Sequence, residues 1–263
     1  ATFKALEEHH GGTERYLEQT ADVNKHLGGS TALRINLMNR DDGSWRANPS
    51  TGAEPEVHRR GLAVSMGTGL TTDNEFILSH LLTTTRDKPD YGISFDSASH
   101  QPGSRLPNST YFGVDANFDD SKTRISTATY THRFAPGSEW RTQLRYADYE
   151  RSYWAKTPNL TTPPNELATV GGNQTRAMDY ETVTVQSDFS SRLQLAGMPH
   201  QWLTGVEYLR EDSSRSGLYN FGATTAANPP QFLPYIVNPA SAPTTFKADS
   251  YAVYAQDTVE FIP

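Results

Sequence analysis

Residues 115–121 read DANFDDS and set Asp115, Asn117, Asp119 and Asp120 at a spacing whose side-chain oxygens could bind Ca²⁺. The segment has neither the Gly nor the distant Glu of an EF-hand loop, and the competing reading is a polar turn leading into a strand. His9 and His10 are adjacent. In an extended chain adjacent side chains point to opposite faces, so the pair makes poor joint ligands and fits a solvated hairpin tip better. The chain has no Cys, which excludes disulfides, thiolate metal sites and a Cys nucleophile. No Gly-x-Ser-x-Gly, His-Glu-x-x-His or Gly-rich phosphate loop occurs, which speaks against an enzyme. Asn108-Ser109-Thr110 and Asn173-Gln174-Thr175 match the glycosylation pattern and nothing more.

Charge and composition narrow the classes further. Lys+Arg 23 against Asp+Glu 30 gives a net charge of −7 with no basic run, so nucleic acid is not an expected partner. An aromatic share of 11% with 19 Gly favours turn-rich β-structure over a helical core. Mean hydropathy is only −0.64. No run of 18 apolar residues exists, which removes a transmembrane helix and leaves a β-barrel untouched.

No helical period of any length appears, and strands are expected near residues 3–8, 14–27, 31–40, 58–68, 74–85, 121–134, 140–154, 175–195, 200–215 and 245–261. The connections carry more information. Gly28 to Ser30, Leu70 to Asp73, Ala135 to Glu139 and Ala196 to Pro199 are short turns of Gly, Pro, Ser, Thr and Asp. Residues 41–57, 86–120, 155–174 and 216–244 are long polar segments, and short and long alternate from Gly28 onward. A meander with short turns at one end and long loops at the other is the signature of an outer-membrane barrel.

The hairpin over residues 124–154 tests that reading. Eleven residues from Arg124 to Phe134 span about 36 Å extended, or about 25 Å when tilted near 45°, which matches the apolar band of an outer membrane. Ala128, Tyr130, Phe134, Trp140, Leu144 and Tyr146 would face lipid, and Arg141, Gln143 and Arg145 the lumen. Phe134 and Trp140 flank the short turn, where an aromatic girdle belongs. Leu33, Ile35 and Leu37 alternate with Arg34, Asn36 and Arg40 in the same way, and Leu62, Val64 and Met66 with Gly61, Ala63, Ser65 and Gly67. A solvated lumen explains the low hydropathy.

Several stretches then carry a resemblance. WLTGVEYLRED (202–212) and YAVYAQDTVEFIP (251–263) look like paired barrel strands of TonB-dependent ferric-siderophore receptors. YLEQTADVNKHLGGSTALRINLMNRDDGS (16–44) is similar to the opening strands of those barrels. YFGVDANFDDSKTRISTATYTHRF (111–134) resembles a later loop and strand of the catecholate-type receptors. The matches follow the family's order along nearly all of the chain. The resemblance implies an all-β, antiparallel meander of about ten strands, forming part of a transmembrane outer-membrane barrel of about 22 strands. On this reading residues 1–263 are the first part of the barrel domain, without the plug and without barrel closure. An open sheet of that size leaves two unpaired edges, and alone it is expected neither to insert correctly nor to transport.

For function, the resemblance implies capture of a ferric siderophore at the cell surface and import driven from the inner membrane by the TonB complex acting on a plug. Partners would be the ferric siderophore, TonB and outer-membrane lipid, with no covalently bound cofactor and no resident metal. An anionic chelate with aromatic rings favours Arg for charge and Tyr, Phe or Trp for stacking. Candidates at strand tops and in long loops are Arg86, Tyr91, Arg105, Tyr111, Phe112, Tyr149, Arg151, Tyr153, Trp154, Tyr219 and Phe221. Aromatic girdles also place Tyr and Trp at strand ends, which is the bland alternative for each. The rival functions are a TonB-dependent receptor for another nutrient, a passive porin or outer-membrane hydrolase, and a soluble all-β binding module with shorter strands.

Overall fold

The computed structural model describes residues 2–10, 14–49, 51–93, 95–96, 99–102, 107–113, 115–158, 169–218, 224–225 and 242–259. Every regular element among them is a β-strand: β1 (Thr2–His10), β2 (Glu14–Gly28), β3 (Thr31–Asp42), β4 (Val57–Thr68), β5 (Asn74–Asp87), β6 (Phe95–Asp96), β7 (Gln101–Pro102), β8 (Phe118–Ala135), β9 (Ser138–Pro158), β10 (Thr169–Leu195), β11 (Met198–Ser216), β12 (Thr224–Thr225) and β13 (Thr244–Val259). Ten of them form one path, β1-β2-β3-β4-β5-β8-β9-β10-β11-β13. Each consecutive pair runs antiparallel. This is the expected meander.

Register makes the two faces explicit. One row of directly opposed residues runs Leu33, Met66, Leu78, Ala128, Leu144, Val185, Tyr208 and Tyr251 across eight strands, all on one face. The adjacent row on the other face runs Arg34, Ser65, Ser79, Thr127, Arg145, Thr184, Leu209 and Ser250. A period of two within each strand, held in phase by the ladder, builds a lipid face and a polar face without any strand being hydrophobic overall. Along β5, Phe76, Leu78 and His80 are exposed while Glu75, Ile77 and Ser79 are half-buried. The polar row therefore lines the concave side.

The short turns explain how the strands reverse. Ala196 and Gly197 both have positive φ, 50° and 80°, as a two-residue I′ hairpin requires. Pro136 and Gly137 close the β8–β9 hairpin, with a register shift between Arg133 and Ala135. Phe134 sits at that bulge, its ring 6.1 Å from Phe189 in an edge contact, and Trp140 donates its indole N–H to Ser187 at 2.7 Å. These rings belong to the short-turn end of the lipid face.

At the loop end the strands run further than hydropathy alternation reveals. β8 begins at Phe118 and β9 ends at Pro158, while β10 starts at Thr169. Past the bilayer both faces meet water, so alternation fades while the backbone ladder continues. On β8 and β9 the lower limit of this wet zone is visible on the lipid face. One step beyond Tyr146, Asp148 pairs with Arg124, which also donates to Glu150 at 2.7 Å. The segment 88–117 also holds a small hairpin, β6–β7, that alternation does not predict.

Candidate functional site

On the concave face of β9, Tyr149, Arg151 and Tyr153 share parity with Arg141, Gln143 and Arg145 and lie at the long-loop end. β8 lines up beside them, with Asp119 opposite Tyr153 and Ser121 opposite Arg151. Arg151 donates Nε to Asp119 Oδ1 at 2.9 Å and Nη2 to Oδ2 at 2.7 Å. Its guanidinium carbon lies 4.8 Å from the centre of the Tyr153 ring. The cation is thus fixed in orientation from two sides, and its five donors are not all used.

Deeper along the same face, Tyr149 and Tyr180 stand directly opposite each other, stacked with centroids 5.9 Å apart and planes at 26°. The Tyr149 hydroxyl accepts from Arg145 Nη2 at 3.3 Å, and the Tyr180 hydroxyl donates to Glu211. Arg176 lies across the ladder from Tyr153 and is exposed. A cleft of about 340 Å³ over β5, β8, β9 and β10 lies instead on the other, convex face, where Arg86, Asp120, Glu150 and Asp179 share the parity of the apolar row.

Tyr91, in the loop after β5, lies near enough to this wall for the charges of Asp119 and Arg151 to act on its phenol. It is 44% exposed. Burial and then the negative charge of Asp119 hold its phenol above the ordinary value, so it stays a neutral donor. Its loop is tied down by the neighbouring one. Ala47 N donates to Ser109 O and Tyr111 N to Ala47 O, each at 2.9 Å, and Asn48 Nδ2 donates to Gly113 O at 3.0 Å. Tyr111 and Phe112, each 1% exposed, fill the middle of this two-loop body. The Tyr111 hydroxyl donates to Pro89 O at 3.3 Å and accepts from Asn117 Nδ2 at 3.0 Å, and burial pushes its pKa up.

The sequence candidates are therefore separated by the fold. Tyr91, Tyr149, Arg151 and Tyr153 come together on the concave wall. Tyr111 and Phe112 hold the loops and present almost no surface. Arg86 lies on the convex face opposite Asp120. Trp154, 4% exposed, packs with Leu218, Phe118, Ala116 and Ala177 on the convex side. Arg105, Tyr219 and Phe221 lie outside the described residues. The aspartates of 115–120 are divided: Asp115 accepts from Thr51 at 3.0 Å, while Asp119 and Asp120 are already in β8. Among the described residues no group of three or more His, Cys, Asp or Glu could hold a metal ion.

Arg176 and Tyr180 escaped the sequence reading, which took Asp119 for a possible Ca²⁺ ligand or a turn residue and not for the partner of Arg151. A signal for Tyr180 existed: Val183 and Val185 fix odd positions of β10 to lipid, which sends even ones to the lumen.

Comparison with known proteins adds the following. The profile of the family described as TonB dependent receptor-like, beta-barrel, matches residues 65–263. The catecholate siderophore receptor Fiu of Escherichia coli (strain K12) is 24% identical over 271 residues, covering 95% of this chain and 35% of that protein. The probable TonB-dependent siderophore receptor PiuA of Acinetobacter baumannii is 28% identical over 222 residues, covering 80% of this chain and 28% of its own length. The closed-form crystal structure of Fiu superposes with a TM-score of 0.81 at 23% identity, over 99% of this chain and 38% of that one. The PiuA structure superposes with a TM-score of 0.76 at 21% identity, over 99% of this chain and 40% of that one. The chain thus spans about a third of the length of the relatives it matches.

Proposed function

The chain belongs to the TonB dependent receptor-like β-barrel family, and on that premise we propose that it is part of the wall of an outer-membrane receptor that captures a ferric siderophore and imports it with energy relayed by TonB. Residues 1–263 are, in this reading, one portion of the barrel domain. The observation that carries the ligand class is Arg151, braced by Asp119 and Tyr153 on the concave face. A ferric catecholate is anionic and displays flat aromatic rings. A guanidinium plane held against a tyrosine offers both charge and a stacking surface to such a ligand. Tyr149, Tyr180 and Arg145 continue the same chemistry toward the lumen. The names of the relatives, a catecholate siderophore receptor and a siderophore receptor, support this class.

The work of this wall is binding and positioning. Arg151 meets ligand oxygens, the tyrosines stack on or donate to the chelate, and iron enters as cargo inside its chelator. No covalent step falls to these residues.

The test uses the full-length receptor in an outer-membrane host lacking its own siderophore receptors. Radioactive iron is presented as catecholate, hydroxamate and citrate chelates, with and without TonB. TonB-dependent uptake of the catecholate class, reduced in Arg151→Ala and Tyr153→Ala, is the expected result. Uptake that ignores TonB, or that prefers a chelate without aromatic rings, overturns the reading.

A further inference from the structure

Arg46 lies in the first long loop, outside the strands of the concave wall, and it is the joint between three segments. Its Nε donates to Asn108 O at 2.9 Å and its Nη1 to Asp90 Oδ2 at 2.7 Å. The ion pair is largely enclosed, with side chains 17% and 24% exposed. The other oxygen of Asp90 accepts the Gly92 N–H at 2.8 Å. Asp90 thereby closes a local turn whose central residue is Tyr91. Gly92 has φ 85°, a left-handed conformation that suits glycine, so the backbone just after Tyr91 is fixed in a form that few other residues adopt. On the other side Pro89 is held through its carbonyl by Tyr111. Asp90 and Gly92 on either side of Tyr91, and Pro89 before them, are thus anchored, while the Tyr91 ring is left partly exposed within reach of the charges of Asp119 and Arg151.

We propose that Arg46 is the positioning residue for Tyr91: by holding Asp90 it fixes the phenol against the wall formed by Arg151 and Tyr153, and so sets how tightly the site closes on an anionic aromatic chelate. This rests on the receptor reading above. Arg46 and Asp90 meet no ligand themselves. Their contribution is the loop order that would otherwise have to be supplied at the moment of capture.

Two measurements on the full-length receptor separate this from the parent reading. The first needs no ligand. Residues 1–263 contain no cysteine, so a spin label at Tyr91→Cys reports on this loop and one at Thr127→Cys on the barrel wall, other cysteines of the receptor being replaced. Arg46→Gln should convert the label at 91 from an immobile to a mobile spectrum and leave the label at 127 unchanged. An immobile label at 91 in Arg46→Gln overturns the proposal whatever the receptor binds. The second is equilibrium binding of a ferric tris-catecholate. Arg46→Gln should weaken binding about fivefold to tenfold, and should add no further loss in a Tyr91→Ala background. Losses that multiply place the effect of Arg46 elsewhere and overturn the proposal. Absence of binding by the unmodified receptor overturns the ligand reading alone, because the spin-label result stands independently.

Discussion

Arg151 and Asp119 meet fork to fork across β9 and β8, with both nitrogen–oxygen distances below 3 Å, 2.9 and 2.7 Å. A lysine at 151 could keep the charge but not this planar pairing, nor the face-on contact with Tyr153. Replacing Arg151 with Ala is expected to raise the Kd for a ferric tris-catecholate about tenfold, on the order of 1.4 kcal/mol. Replacing it with Lys should recover less than half of that loss. Equilibrium binding to the full-length receptor in detergent measures both, and equal Kd values in all three proteins would remove Arg151 from the site.

Neighbouring residues on β9 test the assignment of faces. Leu144 lies in the apolar row and Gln143 on the concave side. An arginine at Leu144 should cost about 2–4 kcal/mol of barrel stability near the bilayer midplane, and one at Gln143 less than about 1 kcal/mol. Denaturant unfolding of the full-length receptor from phospholipid vesicles reads the difference. A larger loss at 143 would invert the faces.

Gly113 is packed so closely that a Cβ would overlap the ring of Tyr111 and the amide of Asn117. Gly113→Ala should therefore dislodge Tyr111 and open the loop packing that Ala47, Asn48, Tyr111 and Phe112 hold together. Limited proteolysis within 88–117 should accelerate at least several-fold, with the unfolding midpoint of the barrel unchanged, since the loop body lies outside the ten-strand ladder. Unaltered cleavage would show that the loops do not depend on that packing.

In the lumen, Tyr254 lies over Gly205, and its hydroxyl meets Asp188 and accepts from Gln186 Nε2 at 3.0 Å. A methyl group at 205 forces the ring away and breaks these hydrogen bonds. Gly205→Ala should cost about 1 kcal/mol, and should cost less once Tyr254 is Ala, the close approach to the Asp188 carboxylate remaining. A double-mutant cycle in the same vesicle assay decides it.

Much of this wall could be read from residue order because lipid enforces a strict period of two. Leu33, Ile35 and Leu37, or Leu144 and Tyr146, announce their face without help from any partner strand. Legibility stops where that constraint stops. Asp119 and Asp120 read as part of a turn because nothing alternates there, although the ladder has already begun at Phe118. The candidate site divides on the same principle. Tyr149, Arg151 and Tyr153 inherit their direction from the lipid-facing positions below them, and Arg86 could have been assigned to the convex face by the same count from Leu78 and Leu82. Tyr111 and Phe112 could not be placed, since loop burial depends on contacts between segments about 60 residues apart, such as Asn48 with Gly113. Arg46 was invisible for that reason too.

The pairing of Arg124 with Asp148 and Glu150 on the convex face also sets a waterline. A hull of exposed leucine and tyrosine settles into hydrocarbon until its first charged seam reaches the surface, because drawing that seam under would strip it of water. Arg151 is three residues beyond Asp148 on the same strand, about 10 Å further along. A receptor built on this wall would float with Arg151 above the lipid. A thicker or thinner membrane changes only how far the short turns hang below.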